Sequence, residues 1–336
     1  MSARTKLWTT IDFERDGKQV GRLNLPHSVT RSAYGVIPIP LAVVRNGTGP
    51  TLLVMAGTHG DEYEGQIVLG EVIRDLDPAS LRGRIIVLPA ANLPAAKAGA
   101  RVSPLDDGNL NRFFPGDADG TPTQQIAHYI SDVLVPMADL FVDLHAGGSS
   151  LAYLPFVSLS LTGRDDVDRR ALAAAKAFGA PRIVIWGNAE ATGTSTAAGF
   201  RHGVPKLGGE YGGAGVVSPA GVAIVRRGVA NLIAHLGLTA DPPARDGESR
   251  LMEIGDRGYY AYAPHEGVFA PAIELGATVE PGQVIGHVHT PEYPERAPTP
   301  VTIGRGGLAI CMRAMGRAEP GDCLVHLATD RADPFA

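Results

Sequence analysis

The sequence of 336 residues lacks the cysteines that a disulfide scaffold or a thiolate zinc site would need. Only Cys311 and Cys323 occur, without C-x-x-C spacing, and we expect two buried, unreactive thiols. An excess of cationic side chains is also absent, because 30 Lys and Arg stand against 35 Asp and Glu, for a formal net charge of -5. Neither a nucleic acid nor an anionic membrane is therefore an expected partner.

Long apolar runs are missing as well. No window reaches the roughly 18 apolar residues of a membrane-spanning helix, and residues 1–19 turn acidic and polar where a signal peptide would have its apolar core. We therefore expect a cytoplasmic protein. What remains, with 44% hydrophobic and 19% charged residues, is the composition of a globular chain long enough for one large domain or two ordinary ones.

Short apolar segments alternate with helical patterns over roughly residues 30–240. Segments rich in β-branched residues and bounded by Gly, Pro or Asp predict buried strands at 36–45, 51–57, 84–90, 139–145, 152–160 and 182–187. Apolar residues at helical spacing predict helices over 123–137, 166–178 and 220–236. This alternation predicts an α/β domain whose central sheet is mainly parallel or mixed and is flanked by helices.

The sequence changes character after residue 240. A polar connector at 241–249 leads into short strands with frequent Gly and Pro and without a helical period. Segments 263–288 and 307–327 resemble each other, since each contains a strand pair around a turn with the sequence E-P-G-Q or E-P-G-D. We predict an α/β domain over 1–245 and a C-terminal all-β barrel or sandwich over 246–336.

The strongest chemical signal is the segment AGTHGDEYEG at 56–65, which joins a predicted strand to a predicted helix. Its His59 and Glu62 are three residues apart and can reach one cation from the same side; a solvated polar loop is the alternative. His145 ends another predicted strand, and the carboxyl ends of strands in an open α/β sheet are where ligands bind. Two histidines and a carboxylate form the ligand set of a catalytic zinc site.

A catalytic zinc site also needs a base and groups that hold the substrate. Glu210 lies in the glycine-rich segment 206–215, where a ligand can approach closely, and is the candidate base unless it is an ordinary exposed glutamate. Within GNLNRFFPG at 108–116, Asn111 and Arg112 offer an amide and a guanidinium for a carboxylate or a developing oxyanion. A surface role for the arginine is the alternative.

Four motifs, H-x-x-E, N-R-x-F, D-L-H and G-G-E, occur in this order ahead of the all-β tail. Together they resemble the succinylglutamate desuccinylase/aspartoacylase family of zinc carboxypeptidase-like amidohydrolases over nearly the whole chain. Segments 11–26, 59–65 and 111–116 are most similar to the N-acetyl-2,4-diaminobutanoate deacetylases of ectoine breakdown. Ala146 and Tyr211 stand where that subgroup has Ser and Leu, and we expect both to border the substrate.

This resemblance implies hydrolysis of the amide bond of a small N-acyl amino acid, such as N-acetyl-2,4-diaminobutanoate. It implies one Zn²⁺ per chain, held by His59, Glu62 and His145. Glu210 would act as general base and then as general acid. The implied contacts to the substrate, with Arg112 also stabilising the oxyanion, are Asn111, Arg112 and Arg101. The β-rich tail would restrict the site to small substrates.

Several alternatives stay open. A zinc carboxypeptidase acting on peptides, or a deacylase of the succinylglutamate or acetylaspartate type, would use the same metal ligands. A carrier barrel is not expected, because it needs a lysine at a hairpin tip and Lys206 is the last lysine in the chain. The expected partners are a small-molecule substrate and, for an enzyme of this size, a second copy of the chain.

Acidic side chains near these motifs have further candidate roles. Asp143, two residues before His145, projects to the same face of its strand and could orient that histidine. If the substrate carries a second amine, an acidic side chain should meet it. The loop positions of Asp106, Asp107 and Glu190 make them candidates for this contact.

Overall fold

The computed structural model describes residues 4–187, 193–241, 244 and 247–336. The chain forms one large mixed sheet and a separate four-stranded antiparallel sheet near its C-terminus. Ten strands precede residue 211: β1 (Trp8–Thr9), β2 (Gly17–Pro26), β3 (Val36–Asn46), β4 (Thr51–Ala56), β5 (Gly83–Leu88), β6 (Leu140–Leu144), β7 (Leu151–Tyr153), β8 (Phe156–Leu159), β9 (Arg182–Trp186) and β10 (Lys206–Glu210). The α-helices are α1 (Tyr63–Asp75), α2 (Leu93–Ala98), α3 (Pro122–Tyr129), α4 (Asp165–Phe178), α5 (Ser195–His202) and α6 (Pro219–His235).

The centre of the large sheet is buried on both faces. In it β4 pairs in parallel with β5 and β6, and β6 pairs in parallel with β10. Every residue of β4 is buried; Leu52 and Val54 pack beneath α1, α4 and α6, whereas Leu53 and Met55 pack on the opposite face with α3 and α5. Because successive strand residues point to opposite faces, a strand covered on both sides reads as the continuous apolar run seen in the sequence.

Proline changes two of the predicted elements. The predicted helix 123–137 is α-helical only as far as Tyr129 and continues as a π turn and a 3-10 turn, with Pro136 in the latter. The predicted strand 152–160 is divided into β7 and β8 at Leu154 and Pro155. In both places proline removes a backbone donor that a regular element would use.

The C-terminal part is all-β among the residues described after 247, apart from one 3-10 turn. Its strands are β11 (Arg250–Ile254), β12 (Tyr260–Tyr262), β13 (Gly267–Pro271), β14 (Thr278–Val279), β15 (Val284–His289), β16 (Thr299–Thr302), β17 (Gly307–Arg313), β18 (Arg317–Ala318) and β19 (Cys323–Asp330). Strands β16, β15, β13 and β18 form the separate antiparallel sheet. Cys311 is buried, Cys323 is half-buried, and both are free thiols.

The two E-P-G turns have the same structure. The amide of Glu280 donates to Oε1 of Gln283 at 2.9 Å, and the amide of Glu319 donates to Oδ2 of Asp322 at 2.8 Å. The third residue of each turn is a glycine with φ of 79° or 86°, in the left-handed region that favours glycine. The resemblance between the two segments therefore reflects two equivalent strand connections.

The large sheet continues from the α/β part into the C-terminal part. Strand β11 pairs in parallel with β9 and antiparallel with β19, and β7 pairs with β17. The boundary expected near 245 falls outside the described residues, and the division into 1–245 and 246–336 stays a proposal. None of the helices in the described part of the chain is long and apolar enough to cross a lipid bilayer.

Candidate active site

Polar side chains replace apolar ones on one face of the sheet. Along β6, Val142 and Leu144 pack beneath the α1, α4 and α6 helices, while Asp143 and the following His145 point to the opposite face. On β10, Leu207 likewise packs beneath those helices, and the alternate residues point the other way. His145 and the alternate residues of β10 line a cavity of about 530 Å³ at the carboxyl ends of β4, β6 and β10, three neighbouring parallel strands, and Asp143 lies buried behind His145.

His59, Glu62 and His145 converge in this cavity, as the sequence predicts. His59 lies in the turn after β4, Glu62 directly precedes α1, and His145 directly follows β6. Nδ1 of His59 is 2.6 Å from Oε1 of Glu62, and Nδ1 of His145 is 2.9 Å from Oε2 of the same carboxylate. One ligand atom from each residue lies within 4.8 Å of the others, and no second such group occurs in the described ranges.

The outer nitrogens of both imidazoles face oxygen atoms. Nε2 of His59 is 3.1 Å from Oδ1 of Asn109. Nε2 of His145 is 2.8 Å from Oδ2 of Asp143. The angle at this nitrogen is not that of a hydrogen bond, so the contact among the described residues is an ion pair. An oxygen facing Nε2 is the arrangement that metal-ligating histidines adopt, because with a metal bound the ring keeps its proton on Nε2 and offers the Nδ1 lone pair to the ion. Two imidazole nitrogens and a carboxylate are donors that zinc accepts, so the residues fit that metal.

Asp143 is held by a second set of contacts. Its Oδ1 accepts a hydrogen bond from Thr58 Oγ1 at 2.8 Å, and its Oδ2 accepts one from Ser195 Oγ at 2.6 Å. Burial would raise the pKa of this carboxyl, but the charges of His145 and Lys206 and the hydrogen bond from Ser195 hold it well below its usual range. Asp143 is therefore an ionised partner for the imidazole, as proposed from its position on the strand.

The charges of the site are adapted to a buried cation. Burial would raise the pKa of Glu62, but the two imidazoles outweigh this effect and lower it to about 2. Burial would lower the pKa of His145, but Asp143 and Glu62 raise it to about 10. The two carboxylates thus stabilise positive charge between them, and a divalent ion would supply that charge.

Glu210 lies beside His145 at the end of β10. The amide of His145 donates to the carbonyl of Gly209 at 3.1 Å, and the amide of Tyr211 donates to the carbonyl of His145 at 3.2 Å, so the backbone holds the two side chains on one edge. Burial, reinforced by the charge of Glu62, raises the pKa of Glu210 well above its ordinary value. Its Oε2 is buried and has no hydrogen-bond partner among the described residues.

The predicted substrate contacts also line the cavity. Nη1 of Arg101 is 3.5 Å from Oε1 of Glu62, which places this half-exposed guanidinium beside the ligand group. Oδ1 of Asn111 accepts from the amide of Ser195 at 2.8 Å, and its NH₂ group makes no hydrogen bond to any residue that the structure describes. Nη1 of the exposed Arg112 donates to the carbonyl of Asn111 at 2.7 Å. Phe114, which is buried, anchors this loop in the core.

Not every expected neighbour borders the cavity. Ala146 lines it, but Tyr211 does not: its ring is fully buried and stacks on Phe178 with centroids 5.6 Å apart. Tyr211 follows Glu210 directly in the chain, and strand alternation turns its side chain to the helix-covered face. Asp106 accepts hydrogen bonds from the amide and hydroxyl of Thr123, and neither it nor Asp107 lines the cavity. Glu190 lies outside the described residues.

Tyr153 and Trp186, which the sequence analysis does not single out, form a wall of the cavity. Side chains of the C-terminal strands make hydrogen bonds to both. The hydroxyl of Tyr153 is 3.0 Å from Nε2 of His326 on β19, and Nε1 of Trp186 donates to the hydroxyl of Tyr260 on β12 at 3.0 Å. Asn109, Ser195 and Lys206 were missed as well. In the sequence each of them is only a polar residue near the start of a helix or the end of a strand, and this pattern is too common to predict a functional role.

A protein-family model described as "Succinylglutamate desuccinylase/Aspartoacylase catalytic domain" matches residues 48–236 of this chain. The chain belongs to this family. A curated relative from Halomonas elongata, the N-alpha-acetyl-L-2,4-diaminobutyric acid deacetylase, is 39% identical over 320 residues, which cover 95% of this chain and 94% of that protein.

Solved structures of the family agree with the fold. The product-bound structure of the ectoine utilization protein EutE (DoeB) from Ruegeria pomeroyi has a TM-score of 0.94 and 36% identity, and the match covers 97% of this chain and 99% of that one. A succinylglutamate desuccinylase/aspartoacylase from Rhodobacter sphaeroides has a TM-score of 0.93 and 37% identity, covering 97% and 100%. The predicted family and fold class are confirmed.

Proposed function

We propose that this member of the succinylglutamate desuccinylase/aspartoacylase family is a zinc-dependent hydrolase of the amide bond of small N-acyl amino acids. The observation that carries the proposal is the convergence of His59, Glu62 and His145, with Glu210 on the adjoining strand edge. The similarity to the Halomonas elongata deacetylase over most of both chains makes N-acetyl-2,4-diaminobutanoate the first substrate to test.

His59, Glu62 and His145 would hold the zinc ion. When bound there, Zn²⁺ would lower the pKa of a water molecule to about 7 and polarise the amide carbonyl. Glu210 would accept the proton of the attacking water and then transfer it to the leaving amine. Glu210 is buried, and its Oε2 has no hydrogen-bond partner in the described ranges; both features favour uptake of a proton and so support this role.

Arg112, Arg101 and Asn111, which all line the cavity, would hold the substrate. Arg112 would stabilise the oxyanion that forms on the amide carbonyl, where one lost donor typically costs about 2.7 to 4 kcal/mol. The NH₂ group of Asn111, which makes no hydrogen bond among the described residues, supports a contact to the substrate, because the oxygen of this side chain already accepts from Ser195. Arg101 would act close to Glu62, at the distance given above.

We further propose that residues 1–245 form the catalytic domain and that residues 246–336 limit the substrate to small molecules. The hydrogen bonds that join Trp186 to Tyr260 and Tyr153 to His326 support this role, because they tie two aromatic residues of the cavity to the C-terminal strands. A peptide carboxypeptidase would need the cavity to admit a longer chain on that side.

The experiment compares the zinc-loaded wild type with Glu210→Gln on N-acetyl-2,4-diaminobutanoate, N-acetylaspartate, N-succinylglutamate and hippuryl peptides. Glu210→Gln should retain zinc and lose at least about 100-fold in kcat, because acid/base catalysis is removed. His145→Ala should lose both metal and activity, whereas Glu274→Gln, at an exposed position of the tail, is the matched control. Near-wild-type turnover by Glu210→Gln would remove that residue from the mechanism, and cleavage of peptides alone would favour a carboxypeptidase.

A further inference from the structure

Tyr153 lies on the cavity wall between the metal ligands and the candidate base. The carbonyl of Gly212 accepts hydrogen bonds from the amides of both Gly147 and Tyr153, each at 3.1 Å. Gly147 comes two residues after the ligand His145. Gly212 comes two residues after Glu210, so the backbone joins Tyr153 to both sides of the reaction centre. The ring also packs on Gly147, where a Cβ atom would lie 3.1 Å from Cδ2 of the tyrosine. The side chain of Tyr153 therefore borders the space in which the scissile amide would be held.

His326 determines the direction in which the Tyr153 hydroxyl can donate. Nε2 of this imidazole is 3.0 Å from the hydroxyl oxygen, and its Nδ1 has no partner among the described residues. The ring is neutral, because burial lowers its pKa to about 3, and a neutral imidazole carries one N–H. On Nδ1 this N–H would be a buried donor without an acceptor in the described part of the chain, which folded proteins rarely tolerate. The proton therefore belongs on Nε2, which donates to Tyr153.

A hydroxyl that accepts from His326 keeps its own hydrogen for another acceptor. Burial raises the pKa of the Tyr153 hydroxyl well above its ordinary value, and Cys311 and Glu210 add to this effect, so the hydrogen is retained. Cys311 lies directly opposite Tyr153 on β17, but a thiol sulfur is only a weak acceptor. Oε2 of Glu210 has no hydrogen-bond partner in the described ranges, so Tyr153 is not paired with it. The acceptor that a bound amide would offer to this hydroxyl is its acyl oxygen, because the amide nitrogen does not accept.

We propose that Tyr153 is a further catalytic residue, which donates a hydrogen bond to the acyl oxygen of the substrate, and that His326 is its positioning residue. This inference rests on the proposed amide hydrolysis and adds a second donor for the oxygen assigned above to Arg112. Negative charge develops on that oxygen in the transition state, so the hydrogen bond should strengthen there and affect kcat more than KM. The C-terminal strands would thus contribute to catalysis through His326.

The first measurement determines the tautomer of His326 in the zinc-loaded wild type. Nitrogen-15 NMR of the protein with labelled histidine, at pH 8, distinguishes a protonated ring nitrogen from a bare one. The signals of His326 are assigned by their loss in His326→Gln. Nε2 should carry the proton. A proton on Nδ1 would mean that Tyr153 donates to the imidazole instead of the substrate, and it would overturn the proposal whatever the activity.

The second measurement is of kcat and KM on the N-acyl amino acid that the wild type hydrolyses best. Tyr153→Phe should lower kcat about 10- to 100-fold and leave KM within about threefold, as expected for loss of a hydrogen bond to a developing charge. His326→Leu should lower kcat about 3- to 30-fold in the wild type but less than about twofold in Tyr153→Phe, because residues that act as a pair are not additive. Tyr262→Phe, at an exposed position of the tail, should match the wild type.

Two kinetic results would overturn the proposal. Unchanged kcat in Tyr153→Phe would remove the hydroxyl from the mechanism, and fully additive losses in the double variant would show that His326 does not act through Tyr153. If His326→Leu does not fold, the NMR measurement and Tyr153→Phe decide. If the wild type hydrolyses no N-acyl amino acid, the proposed function fails and the inference fails with it, whereas a proton on Nδ1 in an active enzyme overturns the inference alone.

Discussion

His326 should make the stability of the protein fall as the pH is lowered. The imidazole is 1% exposed, packs against Trp186 and Tyr260, and makes one hydrogen bond, to Tyr153. Its Nδ1 has no partner in the described part of the chain. Burial therefore lowers the pKa of His326 to about 3, so the imidazole is neutral in the folded protein at any pH well above that value.

The magnitude follows from the difference between the folded and unfolded states. In the unfolded chain the histidine has a pKa of about 6.5, so between pH 6.5 and 3 the unfolded state binds a proton that the folded state does not. Unfolding is then favoured as the pH falls, and the stabilisation present above pH 6.5 is lost progressively. At about 1.36 kcal/mol per pH unit, the loss at pH 5 is about 2 kcal/mol.

The measurement is urea unfolding at pH 8 and pH 5, with metal removed by a chelator so that pH-dependent metal release does not contribute. The former metal ligands titrate equally in the wild type and the variant, so their contribution cancels in the comparison. His326→Gln keeps a polar side chain but cannot titrate, so the wild type should lose about 2 kcal/mol more than this variant between the two pH values. His289→Gln, at an exposed position, should follow the wild type. Equal pH dependence in the wild type and His326→Gln would refute the reasoning.

Two other substitutions test a hydrogen bond behind the metal ligands and the packing of two helices in the core. Ser195→Ala removes the hydroxyl that donates to Asp143 and should weaken zinc binding about 10- to 100-fold in a chelator competition; unchanged affinity would show that this hydrogen bond does not orient the ligand group. Gly228→Ala places a methyl group 2.2 Å from the ring of Phe178 and should cost about 1 to 3 kcal/mol in urea unfolding at fixed pH. In the control Gly70→Ala the added methyl group fits, since its nearest neighbouring atom would be 3.5 Å away. If neither variant changed the free energy of unfolding, α4 and α6 would be able to move apart without cost.

Strand prediction succeeded where each strand is continuous and covered on both faces, as in β4 and β6. It failed at Pro155, because the segment before the proline does not continue β8 but pairs with β17, a strand of the C-terminal part of the same large sheet. No local pattern in residues 152–160 contains that partner. The side-chain direction of Tyr211, by contrast, follows from strand alternation and was available from the sequence.

The sequence by itself determined which groups could bind a metal, because chemical type and short spacing are local properties: His59 and Glu62 are on one turn, and His145 and Glu210 end strands. Only the tertiary structure decided that these strands are neighbours and that Asn109 and Asp143 face the outer nitrogens of the two histidines. Those contacts join residues from separate elements, and their formation depends on the order of strands in the sheet. Burial, which sets the charges of the site, is likewise a property of the packed chain.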